Sequence, residues 1–530
     1  MAKAVDKVVL TNIGALTKKY GTKGLRDIQS AVSALIVADK ARGLETRIIA
    51  LDDSVAMSKL SAPPVTKKDD PKQNKLAIDA IYKALTPDYI VLLGSIDVIP
   101  HQDLKNPLYS GPAGDDPDQF AYGDIPYACN APYSQAPQDF VGPTRVVGRL
   151  PDITAGTDPA YLVKVLEVAA GYKPVKQQAF MSYFAVTAQI WESSTKLSVT
   201  NIFSDAKDLM DVPPSKDTWN PGQLSRLSHF FNCHGADTSS QFYGQPKSGA
   251  RSYPVALDAA YVDGKIKEGT VLAAECCYGG QLYATSHVQP QVGILNTYLA
   301  NRCYGFFAST TIAYGPSKGN GQADLICQNF MILVSTGASI GRAALQARQR
   351  FVRSASPPDP SDLKTLAQFN LYGDPSITPV EVAQAQVSPT ESKSKAVFSA
   401  DRLERRDRRR QLFRQGVLIA DTEPVPKRTR AKTPPGIART LRAQMGELGL
   451  ESSTMLSFSL QYPQRSKSLL PRALMAGPER PTAYHVLFAK TPESKQLKAD
   501  EASPSIVSIA ALIGKEVDGK IVSSSMIYSR

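Results

Sequence analysis

The chain has 530 residues, 42% of them hydrophobic and 21% charged, with 61 Lys and Arg against 49 Asp and Glu. That balance excludes an intrinsically disordered chain and leaves apolar material for roughly two to four packed units. The net charge of +12 is uneven: residues 401–530 hold 23 Lys and Arg against 13 Asp and Glu, so the first 400 residues are nearly neutral. A nucleic-acid footprint, if any, would be confined to that C-terminal part, and nucleic acid is not the expected partner.

The N-terminal segment MAKAVDKVVLTNIGALTKKYG lacks the apolar run of a signal peptide, and no later stretch offers about 18 uncharged apolar residues. A cytoplasmic location without membrane contact is therefore the expectation. Six cysteines, two of them adjacent, are too few for a disulfide scaffold, so reduced thiols are expected.

From Lys7 to about Val380, short β-branched or aromatic runs alternate with amphipathic stretches. Strands are predicted at 7–10, 47–51, 89–94, 144–150, 179–188, 229–233, 271–277 and 304–310. Helices are predicted at 24–41, 74–85, 159–171, near 200–210, and over 322–350. This is the rhythm of βαβ units, and such apolar strands suit a mostly parallel sheet covered on both faces, a three-layer α/β/α fold. Residues 102–143, rich in Pro, Gly, Asp and Tyr, read as a long insertion that shapes a site rim or a partner surface.

The α/β unit is expected to span 1–380, with subdomains 1–172 and 173–380. A basic Arg/Pro-rich linker follows over 381–436, including DRLERRDRRRQLFRQG at 401–416. Strand-like runs at 454–460, 484–489, 505–514 and 520–528 predict a small mixed-β domain over 437–530, a surface for a regulatory protein partner.

Two strands end in reactive residues: FFNC runs into His234-Gly235, and VLAAEC runs into Cys277-Tyr278-Gly279-Gly280. Ligands of open α/β sheets sit beyond the carboxyl ends of the strands. A thiol attacks a carbonyl as its thiolate, and a neighbouring imidazole both activates it and protonates the leaving amine. Gly235 and the Cys277 amide are candidates for holding an oxyanion, because glycine lets a substrate backbone approach closely. The bland readings are a satisfied polar His234 at a strand end, core thiols at Cys276 and Cys277, or a zinc site formed by these two cysteines with Cys233, His229 and His234. The zinc reading lacks any CxxC pair. His229 and His287 read as structural or rim residues.

The pattern of strand-His-Gly followed some forty residues later by strand-acid-small-Cys-x-x-Gly resembles the caspase/gingipain clan of cysteine peptidases. The likeness to the gingipain branch continues through VLLGSIDVIP (91–100), RVVGRLP (145–151), NCHGADTSSQFYG (232–244), ECCYGGQL (275–282), FASTTIAYG (307–315) and LYGDPSI (371–377). The resemblance implies a caspase-like fold and a cysteine endopeptidase acting on protein or peptide substrates with no cofactor or metal, Cys277 as nucleophile and His234 as general acid/base. Only Cys277 has the clan's small neighbour and preceding acid, namely Cys276 and Glu275. By the same resemblance, Glu275 would face a basic Arg or Lys at the substrate's P1 position, with Asp237 and Asp324 as alternatives. The segment Phe307–Tyr314 would wall that pocket, chiefly through Ser309, Thr310, Ile312 and Tyr314. No acid lies in 193–203, where Arg-specific gingipains carry their specificity carboxylate. Exposed arginines at 402–414 would suit self-cleavage. The competing reading is a catalytically silent scaffold whose basic tail binds nucleic acid or a protein.

Overall fold

Runs such as KVVLT and YIVLL bury every residue, so both faces of their sheet must be covered. In the computed structural model, which describes residues 5–112, 114–215, 218–286, 289–355, 357–381, 426–462, 480–490 and 506–530, ten strands form the main sheet. They are β1 (Lys7–Thr11), β2 (Thr46–Ala50), β3 (Tyr89–Leu93), β4 (Val147–Leu150), β5 (Tyr183–Ala188), β6 (Leu209–Val212), β7 (Ser228–Asn232), β8 (Val271–Ala274), β9 (Gly305–Ser309) and, after the short β10 (Tyr314–Gly315), β11 (Phe369–Tyr372). Their spatial order is β2-β1-β3-β4-β11-β9-β8-β7-β5-β6. Pairing is parallel within each half and antiparallel only between β9 and β11. The molecule thus joins two parallel five-stranded halves across one antiparallel seam.

Helices cover this sheet. They are α1 (Ile13–Ala41), α2 (Pro71–Leu85), α3 (Ala160–Gly171), α4 (Glu192–Phe203), α5 (Ile294–Ala300), α6 (Gln322–Ser335), α7 (Ile340–Ser354) and α8 (Pro360–Gln368). Local chemistry sets their ends: Asp70 accepts from the Lys72 and Gln73 amides ahead of Pro71, and Asp359 with Asp362 closes a capping box around Pro360. The expected helix near 200–210 begins earlier and stops at the left-handed Ser204, leaving 209–212 to become the edge strand β6. The expected single helix over 322–350 is two, broken where Gly337 adopts a positive φ and Ser339 caps α7. Helix α8 was not expected from the sequence, and every one of its residues is buried, the polar Asp362, Lys364 and Gln368 included.

A second sheet, in the order β10-β16-β15-β14-β13-β12, joins β10 to β12 (Lys427–Arg430), β13 (Ser452–Gln461), β14 (Ala483–Ala489), β15 (Ala510–Val517) and β16 (Lys520–Ser529). It is antiparallel throughout rather than mixed. It also reaches outside the expected spans: β12 and the start of helix α9 (Pro435–Glu447) fall in what reads as linker, and β10 comes from the first unit. One face packs on α9 through Ile437, Leu441 and Met445 against Leu487 and Leu512. The other face, with Tyr484, Val486, Phe488 and Ile513, joins the core of the main body. Tyr484 Oη also donates to the Pro357 carbonyl at 2.7 Å. The arginine run 401–416, the expected cleavage region 402–414 and His287 lie outside the described residues. Among the described residues no helix is long and apolar enough to cross a membrane.

Candidate active site

β7 and β8 are neighbours in register, with Phe231 opposite Ala274, so the loops leaving their carboxyl ends lie side by side. One loop carries His234-Gly235 and the other Glu275-Cys276-Cys277. Gly235 lies so close to Cys277 that a side chain there would run into the Cys277 carbonyl. That close approach, rather than a turn, is why this position requires glycine.

His234 is buried beneath aromatic rings. Trp191 lies 4.4 Å from it and Tyr253 5.0 Å, centroid to centroid. Its Nε2–H donates to Gln245 Oε1 at 2.7 Å. The Gln245 amide is itself oriented by donating to the Gly249 and Ala250 carbonyls at 3.2 and 3.3 Å. This fixes the tautomer and leaves Nδ1 without a hydrogen-bond partner, as a base requires. Burial pushes the imidazole pKa down to about 4.

Cys277 is also buried, and its thiol pKa is pushed up to about 12 by desolvation, against the opposing field of Lys364. Its Sγ accepts from the Ala313 amide at 3.3 Å. In this closed state both thiol and imidazole are neutral.

What closes the site is the end of β16. Ser529 pairs with Tyr314, and the Arg530 amide donates to the Ala313 carbonyl at 3.0 Å. The Cys277 amide points at the Arg530 carbonyl oxygen, 3.4 Å away. The Arg530 guanidinium enters a pocket in which Nη2 donates to both oxygens of Asp324 at 2.9 and 2.8 Å and to the Pro316 carbonyl at 2.8 Å. It also lies 4.6 Å from the Trp191 ring centroid, so the indole packs against both guanidinium and imidazole. Asp324 sits in the first turn of α6 and accepts from Asn232 Nδ2 at 3.2 Å.

The pocket corrects part of the sequence reading. Asp324, a lesser alternative beside Glu275, is the carboxylate that holds the cation. Glu275 lies next to Asp324, and burial together with that negative neighbour raises its pKa well above normal, so it is held as the neutral acid. Asp237 is exposed and paired with Gln281, away from the guanidinium. Ser309, Thr310 and Ile312 do not line the pocket by their side chains. The Ser309 hydroxyl is engaged by the Cys276 and Thr311 carbonyls and that of Thr310 by the Tyr122 carbonyl, while Ile312 is fully buried in the core. Tyr314 contributes its backbone, since its hydroxyl donates to Asp116 at 2.9 Å. Gly315 does line the pocket: a side chain there would fall 2.7 Å from Asp324 Oδ2 and from Arg530 Nε.

Trp191, Asn232 and Gln245 were not singled out in the sequence. Trp191 follows β5 in a single turn, so only the β5–β7–β8 strand order brings it to His234. His229 is structural, its Nδ1 accepting from Tyr298 Oη at 2.8 Å and its Nε2 donating to the Arg226 carbonyl at 3.0 Å. The six cysteines are free and buried. Among the described residues no group of three His, Cys, Asp or Glu is placed to hold a metal ion.

No family model matches the chain, and no curated protein matches it. One solved structure, described as a protease, aligns with 71% of this chain and 78% of its own length at 13% identity, with a TM-score of 0.44. A likeness of that degree carries no argument about function.

Proposed function

We propose that the chain is a cysteine endopeptidase of the caspase/gingipain kind that cuts after arginine, with Cys277 as nucleophile and His234 as general acid/base. The observation that carries this reading is the pose of Arg530, whose carbonyl meets the Cys277 amide while its guanidinium meets Asp324. A peptide bond placed after an arginine in that pose would present its carbonyl carbon to Sγ. His234 Nδ1 takes the thiol proton as sulfur attacks, and the Cys277 amide together with Gly235 stabilises the oxyanion. The imidazolium then returns the proton to the leaving amine, and water hydrolyses the thioester to release the acid. Arginine is favoured over lysine because the Trp191 face, 4.6 Å from the guanidinium carbon, suits a planar cation. Self-cleavage within 402–414 belongs to the same proposal.

The test is hydrolysis of fluorogenic peptides bearing Arg, Lys, Asp or Asn at P1, with intact-mass analysis of the chain. Cys277→Ala and His234→Ala are expected to abolish turnover of the Arg peptide, whereas Cys276→Ala retains it. Equal, measurable turnover of the Arg peptide by wild type and Cys277→Ala would sink the reading. The alternative of a silent scaffold draws on the closed site, where a thiol with a pKa near 12 is inert at neutral pH.

A further inference from the structure

Arg530 brings a buried guanidinium against the main body, where Nη2 makes all of its hydrogen bonds and Nε and Nη1 have no partner. The side chain is 0% exposed, and its anchors come from separate parts of the main body: Trp191 after β5, Pro316 after β10 and Asp324 on α6. A structural ion pair would need only the side chain. Here the backbone is engaged as well. The Arg530 amide bonds the Ala313 carbonyl, its carbonyl faces the Cys277 amide, and the two preceding residues continue as an antiparallel partner of Tyr314–Gly315. Main-chain pairing plus one anchored side chain is how an extended peptide adds to a sheet edge.

Resting on the peptidase reading above, we propose that residues 528–530 are a built-in substrate mimic: the end of β16 fills the chain's own peptide groove in cis, and the enzyme works only when that strand is displaced. Three features converge on it. The Arg530 carbonyl faces the Cys277 amide and its guanidinium lies on Trp191, the ring that packs on His234, and both Cys277 and His234 are buried. β10 has its partner edge occupied by β16, so no substrate strand can pair there at the same time. The mimic is delivered by a six-stranded sheet whose apolar face is continuous with the main core, which holds it at high effective concentration. The occupied groove also marks the substrate class, an extended segment with arginine against Asp324 and the preceding residues along Tyr314–Gly315.

The experiment compares the full-length wild type with Arg530→Ala and Arg530→Gln, each checked for folding by circular dichroism and thermal melting. The glutamine variant keeps length and hydrogen bonding but loses the charge, so a collapse of one variant leaves the other to carry the test. Alkylation by iodoacetamide at pH 7.5 is followed at each cysteine by peptide mass spectrometry. Cys277 is expected to react at least tenfold faster in the variants, with buried Cys276 unchanged. Turnover of an Arg-P1 peptide is expected to rise at least tenfold, and the low specific activity of wild type to stay constant on dilution. Equal Cys277 alkylation in wild type and variants overturns the proposal, as does equal turnover in all forms, which would leave the peptidase reading standing. Faster alkylation with no peptide cut by any form supports the filled groove and removes the peptidase reading instead.

Discussion

Asp324 and Glu275 share one buried pocket, and a single guanidinium can neutralise only one carboxylate. The structure resolves the conflict by keeping Glu275 protonated while Asp324 takes the cation. Neither Glu275 oxygen has a hydrogen-bond partner, a burial that costs a neutral acid far less than a carboxylate. The two residues therefore respond differently to loss of charge. In an Arg530→Ala background, which frees the groove, Asp324→Asn is expected to lower kcat/KM on an Arg-P1 peptide by about 100-fold or more, the scale for breaking a buried charge pair. Glu275→Gln is isosteric with the neutral acid and should cost less than about fivefold on the scale of one exchanged neutral hydrogen bond. Steady-state kinetics on both variants checks the assignment, and the reverse ranking would return the cation to Glu275.

At the scale of elements, strand β7 and the segment just past its end carry two histidines with opposite fates. His229 points into the core between α5 and the turn at Arg226, while His234 lies past the strand's end where the chain is free to turn. Burial holds His229 neutral with a pKa near 3, below its ordinary value of 6.5. The unfolded chain takes up a proton below pH 6.5 and the folded chain does not. This residue's contribution is therefore whole above pH 6.5 and is lost as pH falls towards 3, at up to ~1.4 kcal/mol per pH unit. His234 acts in the same direction between pH 6.5 and about 4. Guanidinium-chloride midpoints at pH 7 and pH 5 are expected to fall for wild type and to fall less for His229→Gln. An equal pH dependence in the two would contradict this account.

Across the whole molecule, the insertion 102–143 is a buttress rather than a free rim. Asp116 and Asp118 meet the buried Lys364 of α8 at 2.7 and 2.9 Å. From there Asp116 accepts from Tyr314 Oη, and Asp118 from Tyr278 Oη and the Ile312 amide, so the insertion braces both walls of the site. It also touches the second sheet, through Asp115 with Ser453 at 2.8 Å and Arg430 with the Tyr109 carbonyl at 2.7 Å. Lys364→Met leaves two carboxylates without their cation and is expected to cost about 3–5 kcal/mol, the usual scale for breaking a buried pair from one side. Chemical denaturation of the folded variant measures it, and a change below about 1 kcal/mol would mean the lysine is dispensable.

The sequence by itself marked eight of the ten main-sheet strands, because strands covered on both faces are largely apolar, as YIVLL is, and it missed the half-exposed edge strand β6 and the short β11. It also marked the adjacent strand ends that carry His234 and Cys277, since each follows such a run directly. It could not determine which carboxylate holds the cation. Glu275 lies two residues from Cys277 and Asp324 lies 47 residues away, and only the packing of α6 against the strand ends puts Asp324 in front. Nor could it foresee Arg530, because pairing between β10 and β16 joins residues more than 200 apart, and a strand's edge partner leaves no periodicity in either segment. Hydrophobic pattern is local and therefore legible, whereas the choice among alternative polar partners is made by chain topology and by the desolvation that closure imposes.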